Sequence, residues 1–316
     1  MADQIPYPTN MYTNSIEMVE VGPRDGLQNE AILVATTDKL ALIERAIAAG
    51  ARRIEVASFV NPRAVPQMAD AEAVCAGLLQ RQDVTTIGLV MNRRGADRAI
   101  ATGRIDQLGT VSVASDTFAM ANQGQTSDGS VTMAKDLAAL ARAAGLSAQC
   151  TISAAFGCPF EGEVGEDRVL AMAAALAGAD PVEIALADTI GVADPAHVHR
   201  LVTRVIEIIA PIPVRVHFHN TRGTGLANVW AAVQAGARVV DASLGGLGGC
   251  PFAPGAAGNV ATEDVVYMLE RAGIATGFNL TALVDANRWL AGVMGKELPA
   301  MVAKARAFPP QADAAG

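Results

Sequence analysis

Two histidines in a β-branched segment, His217 and His219, have the spacing that points most directly to chemistry. Side chains at positions i and i+2 of a β-strand lie on the same face, so both imidazoles would be able to bind one metal ion. A pair of core histidines without a ligand is the alternative interpretation. Carboxylates near the ends of other predicted strands favour the metal site.

The other two histidines of the chain, His197 and His199, serve as a comparison. They fall in a predicted helix over residues 195–209, where side chains at i and i+2 diverge. We therefore expect both to be structural or solvated.

Polar residues also occur at or near the ends of further predicted strands. They are Arg24, Asp25, Glu55, Ser58, Asp188 and Asn259. Two imidazoles with a carboxylate and an amide oxygen, and no nearby pair of thiolates, suit Mg²⁺ or Mn²⁺ better than structural zinc. Such an ion would act as a Lewis acid.

A glycine-rich segment, Gly-Gly-Leu-Gly-Gly-Cys-Pro, covers residues 245–251. It contains Gly245, Gly246, Gly248, Gly249 and Cys250. An ordinary flexible loop is one interpretation. The other is a catalytic loop that carries a thiol over the site when it closes.

Eight predicted strands position these residues. They cover residues 16–21, 53–56, 85–90, 107–113, 148–153, 182–186, 214–219 and 239–242, and helical patterns at 38–49, 70–79, 134–144, 167–177, 195–209, 226–235 and 262–272 separate or follow them. Strands that alternate with helices form parallel βαβ units. The sequence therefore predicts a single α/β domain, a closed (β/α)₈ TIM barrel, whose catalytic residues lie at the carboxyl ends of the strands. The first βα turn lacks the GxGxxG pattern of a dinucleotide-binding fold.

We expect four regions: an N-terminal arm (1–14), the barrel catalytic domain (15–275), a C-terminal helical extension (276–308) and a disordered tail (309–316). Hydrophobic residues make up 51% of the chain and aromatic residues only 4%, so we expect Ala, Val, Leu and Ile to fill the interior. The net charge of −8 argues against a nucleic-acid partner.

The four cysteines are widely scattered, which indicates neither a zinc ribbon nor a disulfide framework. The N-terminal residues do not have the pattern of a signal peptide, and no apolar run is long enough for a membrane span. We therefore expect a cytoplasmic protein.

Several segments together resemble one family. They read Val-Glu-Val-Gly-Pro-Arg-Asp-Gly-Leu-Gln-Asn-Glu (19–30), Ile-Glu-Val-Ala-Ser-Phe-Val (54–60), Asp-Thr-Ile-Gly-Val (188–192), Gly-Gly-Leu-Gly-Gly-Cys-Pro-Phe-Ala (245–253) and Gly-Asn-Val-Ala-Thr-Glu-Asp (258–264). Over about residues 15–300 the chain resembles the 3-hydroxy-3-methylglutaryl-CoA lyases, which belong to a superfamily of metal-dependent TIM-barrel lyases and Claisen-type synthases. The resemblance implies a retro-Claisen cleavage that gives acetyl-CoA and acetoacetate.

The resemblance also implies a role for each site residue. Asp25, His217, His219 and Asn259 would be the metal ligands, Arg24 the catalytic arginine and Cys250 the acid that protonates the acetyl-CoA carbanion. Asp25, His219 or a water would be the base that takes the proton of the substrate hydroxyl. The expected substrate-binding or supporting residues are Gln28, Glu55, Ser58, Asn122, Asp188, Arg222 and Glu263.

One segment departs from the family pattern. Where these lyases usually read His-x-His-Asp-Thr-Tyr-Gly-Gln, residues 217–224 read His-Phe-His-Asn-Thr-Arg-Gly-Thr. We expect Arg222 to bind a substrate carboxylate, since arginine forms bidentate carboxylate contacts; an exposed loop charge is the alternative. The change makes a related substrate the second candidate, citramalyl-CoA, which would yield pyruvate and acetyl-CoA.

Two further hypotheses rank below these. The first is a Claisen-type acyl-CoA synthase. Asn220 is similar to the residue at that position in synthases such as isopropylmalate synthase, but those enzymes carry a long C-terminal regulatory region. A non-catalytic barrel would leave the whole polar set unexplained.

The resemblance implies an acyl-CoA substrate and a homodimer or higher homo-oligomer. Arg93 and Arg94 are candidates for contacts with the CoA phosphates, although solvated loop charge is the favoured interpretation. Asn122 and Gln123 are expected in a polar loop after the fourth strand.

Overall fold

A computed structural model describes residues 14–249, 258–306 and 308. Cys250, the expected tail and all but one residue of the expected arm lie outside these ranges. Eight parallel strands form a closed barrel in chain order, and the last pairs with the first. The strands are β1 (Glu17–Glu20), β2 (Arg53–Ser58), β3 (Thr85–Val90), β4 (Gln107–Val113), β5 (Ser147–Ser153), β6 (Ile184–Asp188), β7 (Val214–Phe218) and β8 (Val239–Ala242). The predicted TIM barrel is confirmed.

Helices cover the outside of the barrel. They are α1 (Thr36–Ala48), α2 (Ala71–Gly77), α3 (Arg93–Ala101), α4 (Asp116–Gln123), α5 (Ser127–Ala143), α6 (Glu166–Ala177), α7 (Pro195–Ile209), α8 (Gly225–Ala235), α9 (Thr262–Arg271) and α10 (Leu280–Met294). The helix α10 lies in the range expected for a C-terminal extension and packs on α1 and α9. The end points of the four expected regions stay predictions.

The sequence patterns missed two helices and part of a third. The helix α3 begins after Asn92, whose side chain accepts a hydrogen bond from the Gly95 N–H at 2.9 Å, and so Arg93 and Arg94 belong to a helix rather than a loop. The helix α4 contains Asn122 and Gln123, which were expected in a loop. A side-chain cap from Thr126 to the Gly129 N–H starts α5 seven residues before the predicted position. The starts of α3 and α5 depend on capping more than on apolar periodicity, whereas the start of α4 has no side-chain cap.

An apolar layer between the sheet and the helices forms most of the core, with buried residues such as Leu42, Val202 and Leu283. The expectation that small and branched apolar residues fill the whole interior is wrong inside the barrel. There Arg53 of β2 donates hydrogen bonds to Glu183 beside β6, and these strands lie on opposite sides of the barrel. Charged side chains are tolerated in this space because they pair with one another.

Across the ranges that the structure covers, no helix combines the length and the apolar character needed to cross a membrane.

Candidate active site

A cavity of about 320 Å³ opens at the carboxyl ends of the strands. Eight of the residues singled out from the sequence line it: Arg24, Asp25, Gln28, Glu55, Asn122, His217, His219 and Gly249. The barrel thus brings together residues that are far apart in the chain, as expected for a site at this end of the strands.

Asp25, His217 and His219 form a cluster, and their potential ligand atoms lie within 4.8 Å of one another. His217 Nε2 lies 3.9 Å from Asp25 Oδ2. His219 is buried, and its Nδ1 has no hydrogen-bond partner among the residues that the structure describes. A buried ring nitrogen without a partner is costly unless a ligand satisfies it. Two imidazoles and a carboxylate therefore fit a divalent cation.

Asn259 adjoins this cluster. It forms a β-bridge with His219, and its Nδ2 donates to Asp25 Oδ2 at 2.7 Å and to the Leu247 carbonyl at 3.1 Å. At Gly248 φ is +131° and a Cβ atom would overlap the Asn259 amide, so this position of the glycine-rich segment requires glycine. The predicted fourth ligand is thus hydrogen-bonded to the first.

A short π-helical turn, Gly22–Gly26, presents Arg24 and Asp25 at the end of β1. Glu20 links this turn to Leu244, the residue before the glycine-rich segment, because it accepts hydrogen bonds from the Gly22 N–H at 2.7 Å and the Leu244 N–H at 2.8 Å. Burial raises the pKa of Glu20 to about 7, although these hydrogen bonds act in the opposite direction. Sequence reasoning missed Glu20, although a glutamate inside an apolar strand was a usable signal.

Arg24 is a fixed cation beside the cluster. Its Nε donates to Glu55 Oε2 at 2.8 Å, and its Nη1 lies 2.5 Å from Asp25 Oδ1. Burial acts to lower the pKa of Arg24, but the charges of Asp25 and Glu55 outweigh it and raise the pKa.

Asp25 is ionised in this surrounding. Burial acts to raise the pKa of its carboxyl, but the charge of Arg24, followed by those of His217 and His219, holds the pKa well below its usual range. An ionised carboxylate is the form that binds a metal.

The two paired histidines differ in environment. Burial acts to lower the pKa of His217, but a 3.0 Å contact between its Nδ1 and Asp241 Oδ2 and the charge of Asp25 raise it. Burial, together with the charge of His217, lowers the pKa of His219 to about 4. His219 is therefore neutral near pH 7.

Four charged residues behind the cluster, Arg53, Glu183, Arg215 and Asp241, form what we call the barrel ion-pair network. Arg53 donates to both Glu183 oxygens, at 2.9 and 2.7 Å, and Arg215 Nη1 donates to Glu183 Oε1 at 3.1 Å. Arg215 Nε donates to Asp241 Oδ1. Sequence reasoning missed the network, although charges at alternate positions of β2 and β7 were a signal for inward-facing side chains.

Two expected supporting residues, Asp188 and Arg222, hold the loop between β6 and α7. Asp188 accepts hydrogen bonds from the Val192 and Ala193 N–H groups, and Arg222 Nη1 donates to the carbonyls of Ile190 and Gly191 at 2.8 and 3.0 Å. Neither residue is among the described residues that line the cavity.

Glu263 and Ser58 also lie behind the cavity lining. Glu263 accepts hydrogen bonds from the Gly245 N–H at 2.9 and 3.0 Å and from Asn287 at 3.0 Å, and burial raises its pKa to about 8. Ser58 is fully buried. Glu263 thus anchors the start of the glycine-rich segment.

Cys250 lies outside the described residues. Gly249, which precedes it, lines the cavity, and its carbonyl accepts a hydrogen bond from Asn29 Nδ2 at 2.9 Å. Arg93 pairs with Asp97 on the surface of α3 and is not part of the described cavity lining.

The other two histidines, His197 and His199, were expected to be structural or solvated, and the structure agrees. His197 packs edge-on against Phe156 and lies 3.6 Å from Glu166, and His199 is exposed.

Comparison with known families agrees with this arrangement. The family model described as HMGL-like matches residues 15–290. The chain belongs to the HMGL-like family. In this member the matched range extends from two residues before β1 into α10, and includes the described site residues.

Relatives of this HMGL-like chain include several lyases. A hydroxymethylglutaryl-CoA lyase of Bacillus subtilis is 40% identical over 288 residues, which are 91% of this chain and 96% of that protein. An (R)-citramalyl-CoA lyase of Chloroflexus aurantiacus is 43% identical over 307 residues, which are 94% of this chain and 96% of that protein.

A solved structure is also similar to this family member. It is an HMG-CoA lyase of Acinetobacter baumannii in complex with coenzyme A and 3-methylmalate, with a TM-score of 0.89 and 40% identity, and the match covers 95% of this chain and 97% of that chain.

Proposed function

We propose that the protein is a divalent-metal-dependent hydroxymethylglutaryl-CoA lyase that cleaves 3-hydroxy-3-methylglutaryl-CoA to acetyl-CoA and acetoacetate. The observation that carries this proposal is the cluster of Asp25, His217 and His219 beside Arg24, at the carboxyl ends of the barrel strands. The lyases of that name at about 40% identity support the same reaction.

Asp25, His217 and His219, with Asn259 as the fourth ligand, would hold Mg²⁺ or Mn²⁺. When bound, the cation supplies Lewis-acid chemistry that lowers the pKa of the substrate hydroxyl and polarises a neighbouring oxygen. Glu55 and Asp241 stay outside this set because, among the described residues, the cluster whose potential ligand atoms lie within 4.8 Å of one another contains neither of them.

Three groups are candidates for the base that takes the hydroxyl proton: Asp25, His219 and a water. The pKa of Asp25 lies well below its usual range, so its carboxylate is a weak base. His219 is neutral near pH 7, but a ring nitrogen that binds the metal has no lone pair left to accept a proton.

Arg24 stabilises the negative charge that develops on the thioester oxygen as the carbon–carbon bond breaks. Its guanidinium is held in place by Glu55 and Asp25, so it needs no reorganisation during the reaction. Cys250 protonates the acetyl-CoA carbanion; the position of Gly249 in the cavity lining supports this role, because Cys250 is the next residue of the chain.

Citramalyl-CoA is the second candidate substrate, with pyruvate and acetyl-CoA as products. The Chloroflexus aurantiacus relative of that name favours it. Arg222 adds little support, because its guanidinium donates to the Ile190 and Gly191 carbonyls.

The two candidates are separated by the keto acid released. Purified protein is incubated with Mg²⁺ or Mn²⁺ and with each acyl-CoA, and the products are identified by mass spectrometry. Faster release of acetoacetate supports the first proposal, and faster release of pyruvate supports the second. Cleavage of neither thioester contradicts both, provided that a Bacillus subtilis lyase assayed in parallel is active.

We further infer, from the scattered cysteines, that the protein is cytoplasmic, and, from the resemblance, that it forms a homodimer or higher homo-oligomer. Light scattering of the purified protein tests the assembly, because one chain has a mass of 32.5 kDa.

A further inference from the structure

Asp241 lies between a cation and one of the paired histidines. One of its oxygens, Oδ2, is 3.0 Å from His217 Nδ1, and the other accepts a hydrogen bond from Arg215 Nε. Asp241 and Arg215 are 5% and 1% exposed. Water therefore competes little for either contact.

The direction of the His217 contact fixes where the ring carries its proton. An ionised carboxylate only accepts hydrogen bonds, so a neutral His217 must carry its proton on Nδ1. Its Nε2, 3.9 Å from Asp25 Oδ2, then has a free lone pair facing the cluster. Metal ions bind imidazole through an unprotonated nitrogen.

We propose that Asp241 is a positioning residue, which holds His217 in the Nδ1–H tautomer so that Nε2 is the metal-binding atom. This inference rests on the metal site of the proposed function. It assigns a role to a residue that does not itself belong to the ligand set.

Because Arg215 also contacts Asp241, an asparagine of the same shape would not replace the carboxylate. A guanidinium only donates hydrogen bonds, so in an Asp241→Asn variant Arg215 Nε would orient the amide oxygen toward itself. The amide NH₂ would then face His217 Nδ1 and donate to it. His217 would carry its proton on Nε2, at the position where the metal binds.

The test measures Mn²⁺ affinity of the full chain without substrate, from the electron paramagnetic resonance signal of free Mn²⁺. We expect Asp241→Asn to weaken Mn²⁺ binding by about 10- to 100-fold, the usual cost of losing such a partner of a ligating histidine.

The matched control is Glu183→Gln. It removes a carboxylate from the same barrel ion-pair network, on the other side of Arg215, and leaves the Asp241–His217 contact in place. We expect this variant to bind Mn²⁺ like the wild type.

A double variant shows whether Asp241→Asn loses Mn²⁺ affinity through the His217 tautomer or through a general disturbance of the structure. In Asp241→Asn with Arg215→Met, nothing forces the amide oxygen away from His217, so the oxygen is able to accept from Nδ1–H again. We expect the double variant to regain part of the Mn²⁺ affinity that Asp241→Asn loses.

Three results would overturn the inference: wild-type affinity in Asp241→Asn, an equal loss in Glu183→Gln, or no recovery in the double variant. A wild-type protein that binds no Mn²⁺ overturns the metal site as well, and so is distinguished from failure of the Asp241 role alone.

A measurement on the unsubstituted protein covers the case in which Asp241→Asn does not fold. The chain has four histidines. Two-bond ¹H–¹⁵N spectra of the metal-free, histidine-labelled protein, at a pH where His217 is neutral, report its tautomer. The Nδ1–H form supports the inference, and the Nε2–H form contradicts it.

Discussion

Replacing Glu183 with glutamine would remove the carboxylate that Arg53 and Arg215 share inside the barrel. Three hydrogen bonds of 2.7, 2.9 and 3.1 Å join it to the two guanidiniums. Glu183 and Arg215 are 2% and 1% exposed, so water cannot replace the lost charge. The glutamine keeps the volume of the side chain, and its amide oxygen accepts from one arginine while its NH₂ group faces the other.

We expect the free energy of unfolding to fall by about 3–5 kcal/mol, the usual cost of removing one partner of a buried ion pair. The matched control is Glu17→Gln, because Glu17 Oε2 lies 3.5 Å from the same Arg53 but its side chain is 52% exposed. That variant should lose about 0–1 kcal/mol.

Urea unfolding of the metal-free proteins, followed by circular dichroism at pH 7, measures both values. Equal losses in Glu183→Gln and Glu17→Gln would refute the reasoning, since burial of Glu183 would then have no energetic consequence.

Three further predictions concern the site. Arg24→Gln should lower kcat/KM by at least about 10²–10³-fold with Mn²⁺ affinity retained. The control is Arg52→Gln, at an exposed position before β2, which should leave turnover unchanged. Near-normal turnover of Arg24→Gln would contradict the role of Arg24 in stabilising the developing negative charge. Because the pKa of Glu20 is raised from 4.5 to about 7, the folded protein binds this proton more tightly than the unfolded chain. The free energy of unfolding should therefore fall by up to about 3 kcal/mol as the pH rises from about 4.5 to about 7. Urea titrations of Glu20→Gln at several pH values should lack this part of the pH dependence. EDTA should abolish cleavage, and Mg²⁺ or Mn²⁺ should restore it; full activity of a metal-depleted sample would contradict the metal site.

The strand positions and the barrel were predictable because they depend on local sequence. Alternation of β-branched runs with amphipathic stretches identified all eight strands within about two residues at each end. The i, i+2 spacing of His217 and His219 and the position of Asp25 after β1 similarly predicted a shared site. These inferences need only the period of a strand and the rule that barrel sites lie at carboxyl ends.

The partners of the site residues were less predictable. Charges at positions 53, 183, 215 and 241 are visible in the sequence, but no local sequence pattern indicates that Glu183 joins Arg53 to Arg215 or that Asp241 contacts His217. Arg222 illustrates the opposite case. It is close to His219 in the chain, yet its guanidinium contacts the loop between β6 and α7.

The sequence by itself determined the architecture and the kinds of group at the barrel mouth, because strand period, helix spacing and residue type are local properties. Only the tertiary structure decided which of those groups meet. Closing eight strands into a ring brings β2 opposite β6 and places Asp241 behind His217. The pKa values of Asp25 and His219 follow from these contacts, since they depend on burial and on charges that lie close in space but far apart along the chain.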